Sequence, residues 1–135
     1  MKELVLDATT ENLDTVISFV TEQLEAVDCP MKAQMQIDLC VEEIFVNIAN
    51  YAYKDKVGKA KVMCELDKEN NLLTIVFEDK CVPFDPLSKE DPDITAGADE
   101  REIGGLGIFL TKKLMDEVLY ENKDGKNILK LIKKL

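Results

Sequence analysis

The chain contains no histidine. A Ser-His-Asp triad and a Cys-His pair are therefore excluded, and so is a phosphohistidine within this chain. If the protein is an enzyme, its general base must be a carboxylate, a lysine, a tyrosine or a thiol.

Closely spaced cysteines are also missing. The four cysteines are scattered along the sequence, and no two of them form a Cys-x-x-Cys pair. With scattered cysteines, no such pair and no histidine, the sequence indicates neither a zinc site nor a disulfide framework. We expect free thiols that mostly fill the core. They are Cys29, Cys40, Cys64 and Cys81.

The sequence has no long apolar run. None of its hydrophobic stretches approaches the ~18 residues that a membrane span requires. The first residues, MKELVLDATTENLD, lack the apolar core of a signal peptide. We therefore expect a cytoplasmic protein that does not enter a membrane.

Basic residues are few. The chain has 17 Lys plus Arg against 27 Asp plus Glu, which gives a formal net charge of -10. Such a protein does not coat nucleic acid or an anionic membrane by charge alone, so any phosphate must be bound by local contacts. A length of 135 residues with 46% hydrophobic residues predicts one domain over residues 1–135.

Hydrophobic periodicity predicts an α+β fold. The expected order is a strand over 2–8, a helix from Thr9 or Thr10, a helix from Pro30, strands over 60–67 and 72–78, a loop over 80–103, a helix after Gly104, and strands over 118–121 and 127–132. The Asp124-Gly125 pair predicts the turn of the last hairpin. Helices and hairpins in this order favour a two-layer sandwich, with the helices on one face of a mixed, mainly antiparallel sheet.

The second predicted helix carries a polar group of residues beside its apolar stripe. Glu43, Asn47 and Asn50 share one side of this helix, whereas Glu42 is turned roughly 140° away from Asn47. Carboxylate and amide oxygens one turn apart can hold a hard cation such as Mg²⁺ or orient a nucleophile. The polar flank of an ordinary amphipathic helix is the alternative.

A carboxylate ends the predicted strand over 72–78. Asp79 is followed at once by a proline-containing loop with Phe84. An aspartate in this position can accept a hydrogen bond from an amino group while an aromatic side chain packs a planar ring. An aspartate that only starts a turn is the alternative.

The third segment is rich in glycine and leads into a helix. Gly104, Gly105, Leu106 and Gly107 would leave the first backbone N–H groups of that helix accessible to phosphate. The segment is not a P-loop, because GxxxxGK(S/T) is absent, and it is not a dinucleotide-binding fingerprint, because Leu110 stands where the third glycine would fall. A flexible junction between a loop and a helix is the alternative.

Together and in this order, the three segments resemble the ATP-binding domain of the Bergerat (GHKL) superfamily, and most closely its small anti-sigma-factor serine kinases. Glu43 and Asn47 match the E-x-x-x-N of the family's N-box, Asp79 and Phe84-Asp85-Pro86 match its D-x-G-x-P-F-D-P box, and Gly105-Leu106-Gly107 matches its glycine box. Two positions differ, since Tyr51 replaces a frequent histidine and Cys81 replaces the glycine of the second box.

The resemblance implies that the cofactors are ATP and Mg²⁺. It places Asn47 on the metal, Asp79 on the adenine amino group and the glycine segment around the phosphates. Glu43 would be the general base of the kinase members. The remaining residues expected at the nucleotide are Asn50, Cys81, Phe84, Arg101 and Gly104.

The segment 86–103 has no hydrophobic period and directly precedes the glycine-led helix. We expect it to be a nucleotide lid that is mobile when empty and partly ordered by ATP. Arg101, the single arginine of the chain, falls near the start of this helix. It would either reach the terminal phosphate or stay in solvent.

The implied function is that of an ATP-dependent protein serine/threonine kinase that acts as an anti-sigma factor. Its partners would be a sigma factor and a small anti-anti-sigma (STAS-type) antagonist that it phosphorylates. A homodimer fits this class, whereas direct binding of nucleic acid does not. Two alternatives stay open, namely a nucleotide-regulated binding module without catalysis and an α+β interaction domain that binds no nucleotide.

Overall fold

The computed structural model describes residues 1–49, 58–80 and 105–135, and for 105–108 it describes the backbone. The elements are β1 (Lys2–Asp7), α1 (Leu13–Leu24), α2 (Met31–Asn47), β2 (Lys59–Asp67), β3 (Leu72–Asp79), α3 (Gly105–Leu114), β4 (Glu117–Lys123) and β5 (Lys126–Lys134). Their order agrees with the order that the hydrophobic periodicity predicts. The predicted loop over 80–103 lies, beyond Lys80, outside the described residues.

The five strands form one sheet with the order β1-β2-β3-β5-β4. All four strand pairs in the described parts of the chain are antiparallel. The expected sheet, mainly antiparallel, is thus confirmed, and no parallel pair occurs among the residues that the structure describes. The order places β5 between β3 and β4, so the C-terminal hairpin pairs with the β2–β3 hairpin.

One face of the sheet is covered by the helices. In β2, Ala60, Val62 and Cys64 are buried, while the residues between them are at least partly exposed. The same alternation in β5 buries Leu129 and Leu131. Because the side chains of a strand alternate between its two faces, one row of each strand joins the core. The predicted two-layer α+β sandwich is confirmed.

The helices complete the core with the stripes that their sequences predict. The buried residues of α1 are Val16, Val20 and Leu24. Those of α2 are Ala33, Ile37, Cys40, Val41, Ile44 and Phe45. Spacings of three and four residues put each set on one side of its helix, and burial of these side chains holds the helices on the sheet.

The start of α1 differs from the prediction. A short 3₁₀ turn, Thr10–Asn12, precedes it, and Thr9 caps this turn without a side-chain hydrogen bond. Instead, the Asn12 side-chain amide donates to the Asp7 carbonyl oxygen at 2.9 Å. This bond, between residues five apart, ties the beginning of α1 to the end of β1, and α1 begins at Leu13 and not at Thr9 or Thr10.

The Asp124-Gly125 turn joins β4 and β5 as predicted. Both residues have positive φ angles, 55° for Asp124 and 76° for Gly125. Positive φ at both central residues is the geometry of a type I′ turn, whose twist matches that of the strands.

The end of α3 is fixed to the last strand. The Lys133 Nζ donates to the Leu114 carbonyl oxygen at 2.8 Å. The Asp116 carboxylate accepts from the Lys134 backbone N–H at 2.6 Å. A cation at the C-terminal end of a helix is electrostatically favourable, and these bonds set where α3 lies on the sheet.

Candidate functional site

A chain of hydrogen-bonded polar side chains, two of them buried, lies at one end of the sheet. Asp79, the last residue of β3, is 8% exposed, and Asn127 of β5 is 6% exposed. The Asn127 Nδ2 donates to the Asp79 Oδ1 at 3.1 Å. The Asn127 Oδ1 accepts from the Tyr120 hydroxyl and from the Asn122 Nδ2, the latter at 3.1 Å. The Asp79 carboxylate therefore accepts from Asn127 of β5, and Asn127 is in turn held by two side chains of β4.

Strand register explains how these residues meet. Asp79 stands opposite Asn127 in the β3–β5 pair, and Asn127 stands opposite Asn122 in the β4–β5 pair. Tyr120 lies two residues away on the same face of β4, and its side chain also packs against the core. Side chains directly opposite or diagonal on one sheet face are within contact distance. The chain thus lies on the face that the helices cover.

The Glu43 and Asn47 side chains both lie near the C-terminal end of α2, and both are partly exposed. Glu42 is exposed, as the helical geometry predicts. The adjacent Ile44 belongs to the core. Glu43 and Asn47 therefore lie at the margin of the buried stripe, where a carboxylate and an amide oxygen are one turn apart and accessible to a ligand.

The third helix begins at Gly105, as the glycine segment predicts. No acidic residue stands in its first turn. The first backbone N–H groups of a helix have no partner within the helix, and the dipole makes this end positive. The start of α3 is thus compatible with phosphate, and Gly105, Leu106 and Gly107 supply these N–H groups.

Several predicted site residues lie outside the described residues. They are Asn50, Cys81, Phe84, Arg101 and Gly104, together with Tyr51 and the predicted lid. Their roles remain predictions from the sequence.

The thiol of Cys40 adjoins the site on α2. Burial raises its pKa, a hydrogen bond with Thr111 and the charge of Lys133 lower it, and the charge of Glu43 raises it. Burial dominates, so Cys40 is a protonated core side chain and does not act as a nucleophile. Thr111, which is 1% exposed, connects α3 to α2 through this hydrogen bond.

The described residues contain no group of three or more Cys, Asp or Glu side chains that could hold a metal ion. A nucleotide-bound Mg²⁺ keeps waters and phosphate oxygens as ligands and takes only one or two from the protein. Asn47 offers one amide oxygen for such an ion. Likewise, the buried Asp79 offers an acceptor for an amino group, so the residues present fit Mg²⁺-ATP.

Sequence reasoning did not identify Asn127, Tyr120 or Asn122 as part of the site. One signal was present. Asn127 occupies an inward position of β5, on the same face as Leu129 and Leu131, where an apolar residue is expected. A polar residue at such a position requires a hydrogen-bond partner, but only the strand order shows that the partner is Asp79.

None of the helices in the part of the chain that the structure describes has the length and hydropathy needed to cross a membrane.

A layer of helices on one face of an open antiparallel sheet is the architecture of the GHKL ATPase fold, and comparison with solved structures agrees with it. The structure of the RsbU and RsbW domains of Rv1364c from Mycobacterium tuberculosis matches with a TM-score of 0.68 at 16% identity, over 100% of this chain and 33% of that chain. A histidine kinase domain from Erythrobacter litoralis matches with a TM-score of 0.59 at 19% identity, over 93% of this chain and 60% of that one.

Sequence comparison identifies the family. The histidine kinase-like ATPase domain matches residues 6–133, so the chain belongs to this family. It is also 32% identical over 95 residues to proteins named serine-protein kinase RsbW from Bacillus cereus and Bacillus anthracis. These matches cover 67% of this chain, which spans 58% of the length of those proteins.

Proposed function

We propose that the protein is an ATP-dependent serine/threonine kinase of the anti-sigma-factor class. Its membership of the histidine kinase-like ATPase family and its similarity to proteins named serine-protein kinase RsbW support this proposal. The structural observation that supports the proposal most directly is the buried Asp79 carboxylate, which Asn127 holds on the helix-covered face of the sheet. A buried carboxylate at the end of a strand is suited to bind an amino group of a planar base.

Three parts of the chain would hold Mg²⁺-ATP. Asp79 accepts a hydrogen bond from the adenine amino group, Asn47 gives an oxygen ligand to Mg²⁺, and the first N–H groups of α3 bind phosphate. When bound, ATP supplies the phosphoryl group that is transferred. The residues with the same proposed role outside the described ranges are Asn50, Cys81, Phe84, Arg101 and Gly104.

Glu43 is the proposed general base. Its carboxylate accepts the proton of a serine or threonine hydroxyl on the partner protein, which makes the oxygen a better nucleophile. Histidine, the most frequent general base, is absent from the chain, and a carboxylate is one of the side chains that can take this role. Glu43 is better placed than Glu42, because Glu42 is exposed and points away from Asn47.

The proposed partners are a small anti-anti-sigma protein of the STAS type, as the phosphate acceptor, and a sigma factor that the kinase sequesters. A homodimer is part of the proposal. The proposed location is the cytoplasm, where thiols stay reduced, and the described cysteines Cys29, Cys40 and Cys64 are free.

The test of this function is phosphoryl transfer from labelled ATP to candidate antagonist proteins, measured for the wild type, Glu43→Gln and Glu42→Gln. Glu43→Gln keeps the shape and the hydrogen-bonding capacity of the side chain but removes its basicity. We expect this variant to bind ATP with the wild-type affinity and to transfer phosphate about 100-fold or more slowly, the usual effect of a positioned base.

Glu42→Gln is the matched control, and we expect it to transfer phosphate at the wild-type rate. If both variants transfer phosphate at the wild-type rate, Glu43 is not the base. A wild type that binds both ATP and the antagonist without transferring phosphate would instead indicate the nucleotide-regulated binding module.

A further inference from the structure

The hydrogen-bonded chain at Asp79 has a direction. The Tyr120 hydroxyl and the Asn122 amide both donate to the Asn127 Oδ1, and the Asn127 Nδ2 in turn donates to Asp79. Each donor therefore points toward the next residue, and the chain ends on a carboxylate, which can only accept. Hydrogen bonds in such a series polarise and strengthen one another.

From this arrangement we infer that Tyr120 and Asn127 are positioning residues that determine the selectivity of the site for a 6-aminopurine over a 6-oxopurine. This inference rests on the proposed function, because it requires that Asp79 faces the base of the bound nucleotide. Neither residue is expected to touch the reacting phosphate. They act through Asp79, which they hold in place as an acceptor.

Burial makes the arrangement of the amide specific. Asn127 is 6% exposed and Asp79 is 8% exposed, so water is a poor substitute for a lost partner. If the Asn127 amide turned over, its oxygen would face the Asp79 carboxylate, and its NH₂ group would face the NH₂ group of Asn122. Both encounters bring like groups together. The observed orientation is the one that satisfies all four residues.

The role of Tyr120 is to anchor the amide oxygen from the core side. Its side chain packs against the hydrophobic core, so its hydroxyl reaches Asn127 from a fixed position. Asn122, the other donor, is exposed and therefore easily hydrated. Without the hydroxyl, Asn127 would gain freedom to rotate, and Asp79 would lose the support of a fixed donor.

The consequence for the ligand depends on one position of the base. Adenine has an amino group at C6, which donates to a carboxylate. Hypoxanthine has a carbonyl oxygen there, which a carboxylate repels. A well-positioned Asp79 therefore favours adenine over hypoxanthine. A loosely held Asp79 discriminates less between the two bases. Hypoxanthine gains no hydrogen bond from Asp79, so its affinity should stay the same or rise slightly when Asp79 is held less firmly.

The experiment compares the binding of ADP and IDP in the presence of Mg²⁺ by calorimetric titration, since diphosphates avoid turnover. Tyr120→Phe removes only the hydroxyl. We expect it to lower the ratio Kd(IDP)/Kd(ADP) about fivefold, the effect of losing one hydrogen bond, through weaker binding of ADP. Asn127→Leu should lower the ratio further. Thr74→Val, which removes a hydroxyl from the opposite face of β3, is the control and should leave both affinities unchanged.

A second measurement does not depend on the ligand. In the free wild type, the side-chain NH₂ of Asn127 should exchange slowly with solvent in nitrogen-edited NMR spectra. In Tyr120→Phe it should exchange faster while the melting temperature stays close to that of the wild type. Unchanged exchange would overturn the role given to Tyr120.

The outcomes separate the two claims. Suppose that the wild type binds ADP, and that Tyr120→Phe either weakens the binding of ADP and IDP equally or changes neither affinity. The selectivity inference is then wrong and the proposed function stands. If the wild type binds neither nucleotide at millimolar concentration, the proposed function is wrong and the inference fails with it.

Discussion

At the scale of single residues, burial determines which side chains are reactive. Cys64 is 1% exposed on the inward face of β2, and burial raises its pKa from 9.0 to about 11. A thiol that stays protonated at neutral pH is a poor nucleophile. Cys64 is therefore a small core residue, in agreement with the expectation from the sequence.

The raised pKa of Cys64 predicts a loss of stability at alkaline pH. The unfolded chain releases this proton near pH 9.0, whereas the folded protein retains it to about pH 11. Between these values the unfolded state binds fewer protons, so the free energy of unfolding falls as pH rises. We expect Cys64 to contribute on the order of 2 kcal/mol to this fall, since one pKa unit corresponds to about 1.4 kcal/mol.

Urea denaturation of the wild type and Cys64→Ala between pH 8 and 11 measures this effect. The variant should be less stable at every pH but should lose less stability across the range. Cys29→Ala is the control, because Cys29 is only partly buried and should contribute less to the slope. If the free energy of unfolding falls with pH equally in the wild type and in Cys64→Ala, Cys64 is not the source of the fall.

At the scale of elements, the β4–β5 hairpin depends directly on the residues of its turn, Asp124 and Gly125. Gly125 has a φ of 76°, and a Cβ added there would meet no atom within 4 Å. A substitution at this position is therefore opposed only by backbone strain. The hairpin carries both Tyr120 and Asn127, so its register also positions Asp79.

Gly125→Ala should reduce the free energy of unfolding by about 1 kcal/mol, the usual penalty for left-handed backbone in a residue with a Cβ. Asp124→Gly is the matched comparison. It relaxes the other positive φ of the turn, 55°, and should change stability by less. Chemical denaturation of both variants tests the prediction. Destabilisation by Asp124→Gly equal to that by Gly125→Ala would show that strain at Gly125 is not the cause.

At the scale of the whole molecule, nucleotide binding should stabilise the fold. The chain has a net charge of -10, so a polyanion such as ATP has to be bound by local groups and a cation. Asn47 at the end of α2 is the proposed protein ligand of that cation. A ligand that binds only the folded state raises its stability in proportion to the logarithm of its concentration over Kd.

We expect a rise of several degrees in melting temperature at a saturating concentration of Mg²⁺-ATP, because a 100-fold excess over Kd adds about 2.7 kcal/mol. Asn47→Ala should lose the Mg²⁺-dependent part of this rise. Met35→Ala, on the exposed side of the same helix at 65% exposure, should retain it. Thermal denaturation with and without Mg²⁺ distinguishes these cases, and identical shifts for Asn47→Ala and the wild type would exclude Asn47 as the metal ligand.

Local patterns in the sequence determined the elements of this protein. Alternation in β2, the three-and-four spacing in α1 and α2, and the Asp124-Gly125 pair each act within a few residues, so periodicity predicts them. The start of α1 was the exception, because a 3₁₀ turn over Thr10–Asn12, tied to the end of β1 by the Asn12 side chain, precedes the helix. Glu43 and Asn47 were singled out by their spacing on one helix, and their roles come from the family resemblance and stay a proposal.

Tertiary structure alone decided how Asp79 is held. Its partner Asn127 is 48 residues away in the sequence, and the two meet because β5 pairs with β3 in a register that places them opposite each other. Neither the strand order nor the register follows from local propensity, since both depend on how the whole sheet packs against the helices. The sequence therefore predicted the acceptor at the end of β3, whereas only the assembled sheet showed the buried Asn127 that donates to it.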